Sequence, residues 1–221
     1  MPKYLMLFIL TFIVYSCKDN KMIEENSMLK NQLNELKTNL ATYQQTAKSL
    51  DFLIKQMSDV KARINTNYGT IEVEFLPDKA PLHCFNFISR AESGYYNNTQ
   101  FHRVIKGFMI QGGDPNTKTD RKETYGQGGP IVNLPHEFND VKHTPGILSM
   151  ARPGNVAVGA GSQFFIMHAT YPSLDGQYTV FGKVTSGMDA VDKIANVPTT
   201  EPGRLDRPEK PVIIRSIEVY R

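Results

Sequence analysis

The sequence predicts a mainly β domain that is preceded by a long N-terminal helix. Residues 18–60 contain neither Gly nor Pro, whereas nearly all of the 16 Gly and 13 Pro of the 221-residue chain come after residue 64. From Ala62 onward, apolar and polar residues alternate with a period of two, which is typical of half-buried strands. Eight such segments, with Gly-rich turns and only two helical segments among them, predict a closed antiparallel eight-stranded barrel capped by two helices.

The first sixteen residues have the features of an export signal. Lys3 is followed by an uncharged, almost wholly apolar run over 4–15, which is shorter than the ~20 residues that a bilayer span needs. The run ends at Ser16 and Cys17, and this pattern resembles the lipobox of bacterial lipoproteins. The resemblance implies that segment 1–16 is removed, that Cys17 is lipidated, and that the protein is anchored to a membrane of the bacterial cell envelope. A plain secretory signal followed by an incidental Cys is the alternative.

Residues 17–60 are predicted to form a helical stalk. Apolar residues recur there at alternating spacings of three and four, which is the heptad pattern of a coiled coil. Three interpretations stay open: a homo-oligomer through residues 22–57, a single amphipathic helix packed on its own domain, and a flexible spacer. The repeating positions are Met22, Leu29, Leu36, Tyr43, Leu50 and Met57 in one set and Leu33, Leu40, Ala47 and Ile54 in the other.

The remaining chain, residues 61–221, is predicted to be one globular domain. It opens with a hairpin that turns at 67–69, and a helix follows with Asp78 as its cap, Pro81 in its first turn and Gly94 at its end. A second helix is predicted at about 188–196, before the last strand. The predicted strands are 63–66, 70–75, 101–105, 108–111, 146–151, 163–168, 179–184 and 212–220.

The composition and the incomplete state of several candidate motifs exclude some classes of function. The net charge of +3 comes without a basic run, so we expect no nucleic-acid partner. The five His are scattered, and the position three beyond His136-Glu137 is Asp140 rather than His, so we expect no metal site. Neither the Gly126–Gly129 run nor the serines have the context of a nucleotide loop or a nucleophile, so no cofactor is expected.

Four segments in order closely resemble the signature motifs of the cyclophilins, a family of peptidyl-prolyl cis-trans isomerases. The resemblance extends over about residues 61–221. It implies a cyclophilin-like barrel that catalyses rotation of X-Pro bonds without a cofactor, with proline-containing unfolded or flexible polypeptides as partners. The matching segments are Phe101–Asp114, Leu148–Ala151, Gly161–Ile166 and Leu174–Gly182.

The resemblance also assigns the site residues. It implies that Arg103 and Gln111 are catalytic, with Arg103 donating towards the prolyl nitrogen and carbonyl and Gln111 ordering it. Strand alternation separates Phe165, assigned to the site, from Phe164 and Ile166, assigned to the core. The residues implied to bind substrate are Phe108, Met109, Ala151, Arg152, Gln163, Phe165, Leu174 and Tyr178.

Two departures from the family pattern bear on specificity. The segment between Met150 and Gln163 is longer than usual, which alters the surroundings of the residues that precede the proline. Ser173 stands where many members carry Trp, so we expect weak cyclosporin binding with catalysis less affected.

The predicted function is isomerisation of X-Pro bonds in exported or envelope proteins, in support of their folding. Two alternatives are a module that binds proline segments with little turnover, and a protein whose stalk tethers envelope partners. The presence of Arg103, Phe108 and Gln111 together favours the enzyme.

Overall fold

The computed structural model describes residues 2–201, 203 and 205–221, with side chains for Met22 and from residue 24 onward except 202 and 204. The chain divides into two compact units, residues 1–51 and 52–221. Helix α1 spans Pro2–Met57, in agreement with the predicted long N-terminal helix. The predicted lipidation at Cys17 and the side chains of the signal lie outside the described residues. In the described part of the chain, no helix has the length and apolar character of a membrane span.

The globular unit contains a nine-stranded sheet, a two-stranded sheet formed by residues 199–200 and 207–208, and two further α-helices. Helices α2 (Pro81–Glu92) and α3 (Met188–Ala195) are the two capping helices that the sequence predicts. The eleven strands are β1 Lys61–Thr66, β2 Gly69–Phe75, β3 Thr99–Gln100, β4 Arg103–Ile105, β5 Met109–Gly112, β6 Ile147–Met150, β7 Phe164–Met167, β8 Val180–Ser186, β9 Thr199–Thr200, β10 Arg207–Pro208 and β11 Ile213–Tyr220.

The prediction of a closed eight-stranded barrel is wrong. Nine strands form one curled, antiparallel sheet in the order β3-β11-β1-β2-β8-β6-β7-β5-β4, and β3 and β4 stand at its two ends without pairing with each other. The predicted single strand over 101–105 is the reason. Only its last three residues form a strand, β4, which pairs with β5. The preceding strand β3 pairs with β11, and residues 101–102 cross between the two edges. The sheet is therefore a half-barrel whose ends are joined by the chain rather than by a hydrogen-bonded ladder.

The main core lies on the concave side of the sheet under α2 and α3. Phe87 of α2 is fully buried at its centre, with ring centroids 5.0 Å from Tyr96 and 5.2 Å from both Phe164 and Phe181. Burial of several aromatic rings, each worth about 1.5–3 kcal/mol, fixes α2 against the sheet. Phe164 and Ile166 belong to this cluster, as the strand alternation predicts.

A second, smaller apolar cluster lies on the opposite face of β5, β6, β7 and β8. Met109, Phe165 and Val180 are among its buried members. Successive residues of a strand point to opposite faces, so Phe165 faces this cluster while its neighbours on both sides face the core. The candidate site is built on this cluster.

Helix α2 begins at Pro81, which the sequence places in the first turn, but its cap is different. Ala80 occupies the capping position, and the prediction that Asp78 caps the helix is wrong. Glu137 caps the helix from a distant loop. Its carboxylate accepts hydrogen bonds from the backbone N–H of Leu82 at 3.0 Å and of His83 at 2.9 Å. A carboxylate at a helix N-terminus satisfies donors that have no partner within the helix.

Candidate active site

A cavity of about 110 Å³ opens on the face formed by β4, β5 and β7. Nine of the ten predicted catalytic and substrate-binding residues line it, although they come from five separate parts of the chain. The tenth, Gln163, lines an adjoining cavity. The residues around the smaller cavity are Arg103, Phe108, Met109, Gln111, Ala151, Arg152, Phe165, Leu174 and Tyr178.

The β4–β5 hairpin holds the two polar residues predicted to be catalytic. Arg103 and Gln111 are directly opposite each other in the register of the two strands. Cross-strand partners lie about 5 Å apart and project to the same face. The hairpin turns at Gly107, whose φ of 74° lies in the left-handed region that favours glycine. About 41% of the Arg103 side chain is exposed, so its guanidinium is available at the mouth of the cavity.

Arg103 forms an ion pair with Asp206. The carboxylate oxygen Oδ2 lies 3.8 Å from Arg103 Nε, and only 8% of the Asp206 side chain is exposed. The backbone N–H of Val104 donates to the Asp206 carbonyl at 2.8 Å, which fixes this loop against β4. Asp206 has a φ of 52°, a conformation that Asp and Asn tolerate better than most residues.

The floor and walls of the cavity are apolar. Met109 and Phe165 are buried at 2% and 5% exposure and form the floor. Phe108 packs against Tyr171 with ring centroids 4.4 Å apart, and Tyr178 meets Phe165 edge-to-face at 5.6 Å. Rings that pack on one another in this way keep the cavity open and rigid, because each has few ways to move.

Gln163 connects the small cavity to a larger one of about 380 Å³. Gln111 Nε2 donates to Gln163 Oε1 at 3.0 Å, and Gln163 Nε2 donates to the carbonyls of Gly126 and Gly128 at 3.0 and 2.8 Å. The Gln163 amide thus orients the Gln111 amide, and the carbonyls of the glycine-rich loop hold the Gln163 amide in place.

Arg152 stands at the boundary of the two cavities. Its guanidinium lies 4.5 Å from the centre of the Tyr178 ring, and Nε donates to the Gln177 carbonyl at 3.0 Å. The backbone beside it is fixed as well, because Ala151 N–H donates to the Gln163 carbonyl at 2.9 Å.

A buried polar chain supports the cavity from below. His143 Nδ1 lies 3.1 Å from Asp175 Oδ1, and His143 Nε2 lies 3.2 Å from the Ser149 hydroxyl. Burial lowers the pKa of His143 below its usual value, and the Asp175 carboxylate opposes that shift. Ser149 is completely buried and lies 2.9 Å from the Thr179 carbonyl. Because no substrate atom can reach it, this Ser-His-Asp chain is a support for the turn that carries Leu174 rather than a nucleophilic triad.

Three residues that this site uses are not predicted from the sequence. Asp206 and His143 lie outside every matched motif, and nothing local to them indicates their partners. Asp175 lies inside the segment 174–182, but only the structure shows that it accepts a hydrogen bond from the His143 backbone N–H at 2.9 Å.

The site therefore combines an apolar slot, one guanidinium with free donors, and an oriented amide. Among the described residues, no group of His, Cys, Asp or Glu is placed to hold a metal ion. The remaining cysteine in the described part, Cys84, is buried in the core, where its thiol donates to the Phe181 carbonyl at 3.2 Å. Burial raises the pKa of that thiol well above its usual value, so it is not a nucleophile.

Comparison with known proteins identifies relatives of the globular domain. The model of the cyclophilin-type peptidyl-prolyl cis-trans isomerase family matches residues 61–219. A peptidyl-prolyl cis-trans isomerase of Acinetobacter baylyi is 43% identical over 169 residues, which cover 74% of this chain and 87% of the relative. A peptidyl-prolyl cis-trans isomerase-like 2 of Rhizopus delemar is 44% identical over 176 residues, or 77% of this chain, but only 31% of that longer protein is spanned.

A solved structure agrees with these sequence matches. The cyclophilin-type isomerase of Cryptosporidium parvum, crystallised in the presence of the dipeptide Ala-Pro, is 37% identical with a TM-score of 0.65. The match covers 73% of this chain and 99% of that protein. The half-barrel with its two capping helices, the cavity on its outer face and these relatives lead to one conclusion: over residues 61–219 the chain belongs to the cyclophilin-type peptidyl-prolyl cis-trans isomerase family.

Proposed function

We propose that this protein catalyses cis-trans isomerisation of X-Pro peptide bonds in unfolded or flexible polypeptides. The observation that carries the proposal is the position of the Arg103 guanidinium at the mouth of an apolar cavity that has room for a small ring. The oriented Gln111 amide, opposite Arg103 on the next strand, supports it.

The physical chemistry of the reaction requires little more than these groups. Rotation of a peptide bond crosses a barrier of about 18–20 kcal/mol because the nitrogen lone pair is delocalised into the carbonyl. Before proline both isomers are populated, yet they exchange over tens of seconds or longer. In the twisted transition state the nitrogen has regained its lone pair and can accept a hydrogen bond.

Each side chain of the site has a part in lowering that barrier. The slot formed by Phe108, Met109 and Phe165 holds the proline ring, and Arg103 donates to the nitrogen as the amide twists. A donor whose partner appears only in the transition state stabilises that state over the ground state, which is what raises kcat. Arginine suits the role because it is always charged and presents several donors in a fixed plane.

The decisive experiment compares Arg103→Ala with Lys106→Ala in the purified protein. Lys106 is exposed on the same hairpin, so its loss controls for a change of charge. In a proline-peptide isomerisation assay we expect kcat/KM to fall about a hundredfold for Arg103→Ala, equivalent to ~2.7 kcal/mol of barrier, and to stay near wild type for Lys106→Ala. A wild-type protein that binds the peptide without accelerating its isomerisation would instead support the binding module.

The proposed setting is the bacterial cell envelope, with a lipid on Cys17 as the anchor. The apolar run over 4–15, followed by Ser16 and Cys17, supports this assignment. Cells that express the wild type or Cys17→Ser, grown with labelled palmitate, provide the test. We expect label and membrane association in the wild type only. Equal membrane association of the unlabelled variant would refute the lipid anchor.

We further propose that residues 22–57 join copies of the chain. Six large apolar side chains of the heptad pattern are exposed between 50% and 73%: Met22, Leu29, Leu33, Leu36, Leu40 and Tyr43. Burying such a stripe against a second copy is favourable, at about 25 cal/mol per Å² of apolar surface. Light scattering on the wild type and on Leu33→Glu/Leu40→Glu tests this, with a drop to monomer expected for the variant.

A further inference from the structure

Two loops beyond the proline slot expose an unusual set of β-branched side chains. Ile131 and Val132 are exposed at 105% and 75%, and Val156 and Val158 at 42% and 44%. We call these four residues the apolar rim. A single exposed apolar residue is ordinary, but four of them on two joined loops indicate a surface that binds another molecule.

The loops that carry the apolar rim are fixed to each other. The backbones of Leu134 and Ala160 exchange two hydrogen bonds of 2.9 and 3.0 Å. His136 Nε2 lies 2.9 Å from the Val156 carbonyl. At Gly159 a Cβ would come within 2.2 Å of the Leu134 carbonyl oxygen, so the two backbones approach as closely as glycine allows. The apolar rim is therefore part of a formed surface.

Neighbours of the apolar rim on the same two loops line the larger cavity, which adjoins the proline slot. Residues 128–130 and 133 form one side of that cavity, and residues 152–153 and 161–163 form the other. Ala151 and Arg152 line both cavities. A polypeptide with its proline in the small cavity can thus continue through the larger one towards the two loops.

The charges of the residues that line the two cavities limit which kind of polypeptide segment can bind in them. Among the described residues that line the two cavities, the charged ones are Arg103 and Arg152, and no carboxylate is present. The arginines disfavour a basic segment in the cavities, and the four aliphatic side chains of the rim offer no partner to an acidic or polar segment. An apolar segment can bury its side chains against the rim.

We propose that the apolar rim binds an apolar segment of the same substrate chain, several residues away from the isomerised proline. This inference rests on the proposed isomerase function and names its substrate class: unfolded polypeptides in which an X-Pro bond is flanked by exposed apolar residues. We therefore expect a short proline peptide to fill the slot without contacting the rim.

The test combines two substrates with two variants of the full chain. The substrates are a four-residue proline peptide and a disulfide-reduced unfolded protein whose refolding is limited by one prolyl bond. The variants are Ile131→Ser/Val132→Ser and, as a matched control, Leu82→Ser, which alters an exposed apolar residue on α2. We expect both variants to keep wild-type kcat/KM on the peptide within about twofold. On the protein substrate, we expect a loss of about fivefold or more for the rim variant alone, with recovery in Ile131→Leu/Val132→Leu.

Each result has a defined meaning. Equal activity of the rim variant and Leu82→Ser on the protein substrate would overturn the inference, and so would an equal loss on both substrates, since the effect would then arise in the proline slot. A wild-type protein that leaves the four-residue peptide at its uncatalysed rate would instead overturn the proposed function itself.

Discussion

Asp206 forms an ion pair with Arg103, with its carboxylate Oδ2 3.8 Å from the guanidinium Nε. The two residues are far apart in sequence, and Asp206 is almost buried while Arg103 is partly exposed. The second carboxylate oxygen accepts a hydrogen bond from Gly203 N–H at 2.5 Å, which fixes the acid beside Arg103. Arg103, which lines the cavity, therefore has a fixed charged partner at its Nε.

We expect Asp206→Asn to lower activity without unfolding the protein. Asn tolerates the positive φ of this position and keeps an acceptor for Gly203, but it removes the charge beside Arg103. Because Arg103 is 41% exposed, solvent screens the pair, so we expect a loss of about fivefold in kcat/KM, or ~1 kcal/mol. The melting temperature is measured alongside.

A double-mutant cycle makes this prediction specific. If Asp206 acts through Arg103, then Asp206→Asn adds no further loss in an Arg103→Ala background. A full additional loss in that background would show that Asp206 affects the site by another route.

Local pattern was enough to predict most of the fold. The β1–β2 hairpin, both capping helices and the split of β7 between core and site follow from periodicity and turn residues within one segment. The prediction of a closed barrel was wrong because the alternation of apolar and polar residues over 101–105 continues through residues 101–102. The chain changes strand partners at these two residues. Which strand a segment pairs with depends on contacts far away in sequence, and periodicity does not contain that information.

The candidate site, like the fold, has parts that the sequence predicts and parts that it does not. Nine of the ten predicted residues lie within matched motifs, and Arg152 directly follows one. The structure gathers nine of the ten around one cavity and places Gln163 in hydrogen-bond contact with that group. Asp206, His143 and the capping Glu137 act on residues that come from other parts of the chain. The local sequence around a polar loop residue does not indicate which distant residue it contacts in the folded protein. These three residues were therefore identified only in the structure.

The cap of helix α2 provides a test of stability. We expect Glu137→Ala to lower the free energy of unfolding by about 2–4 kcal/mol, because it removes the acceptor for two helical N–H groups and for buried His83. Asp78→Ala, at the exposed position that the sequence predicted as the cap, should cost less than about 0.5 kcal/mol. Urea unfolding of both variants measures the difference. A larger cost for Asp78→Ala would reverse the assignment of the cap.

Buried His102 predicts how stability depends on pH. Burial lowers the pKa of His102 to about 4, from 6.5 in the unfolded chain, and the Asp114 carboxylate opposes the shift. Below pH 6.5 the unfolded state therefore binds a proton that the native state does not, and stability falls as the pH decreases until about pH 4. The contribution amounts to roughly 3 kcal/mol over that window.

The measurement is urea unfolding of the wild type and of His102→Leu between pH 7.5 and pH 4. Carboxylates with lowered pKa, such as Asp175, also destabilise both proteins in acid, so the relevant quantity is the difference between the two. We expect the wild type to lose stability relative to His102→Leu as the pH falls from 6.5 towards 4. A difference that is independent of pH would contradict the buried, neutral state of His102.

Ser173 leads to a prediction about cyclosporin. It is exposed in the turn Pro172–Leu174, next to Leu174 of the proline slot, at the place where many cyclophilins carry Trp. The wild type lacks the apolar area and the indole donor of that ring, so we expect its complex to be weaker than low-nanomolar. Ser173→Trp should bind at least about tenfold more tightly, a gain of ~1.4 kcal/mol, because an indole can both pack and donate a hydrogen bond.

Calorimetric titration of the wild type, Ser173→Trp and Thr185→Trp separates a local effect from a general one. Thr185 is exposed on β8 and does not line the proline slot, so a Trp there controls for added apolar surface. We expect only Ser173→Trp to gain affinity, while its kcat/KM on a short proline peptide stays close to wild type, because Arg103 and the apolar floor are unchanged. A low-nanomolar complex with the wild type would show that the slot binds cyclosporin without the ring, and equal gains in both Trp variants would remove the special role of position 173.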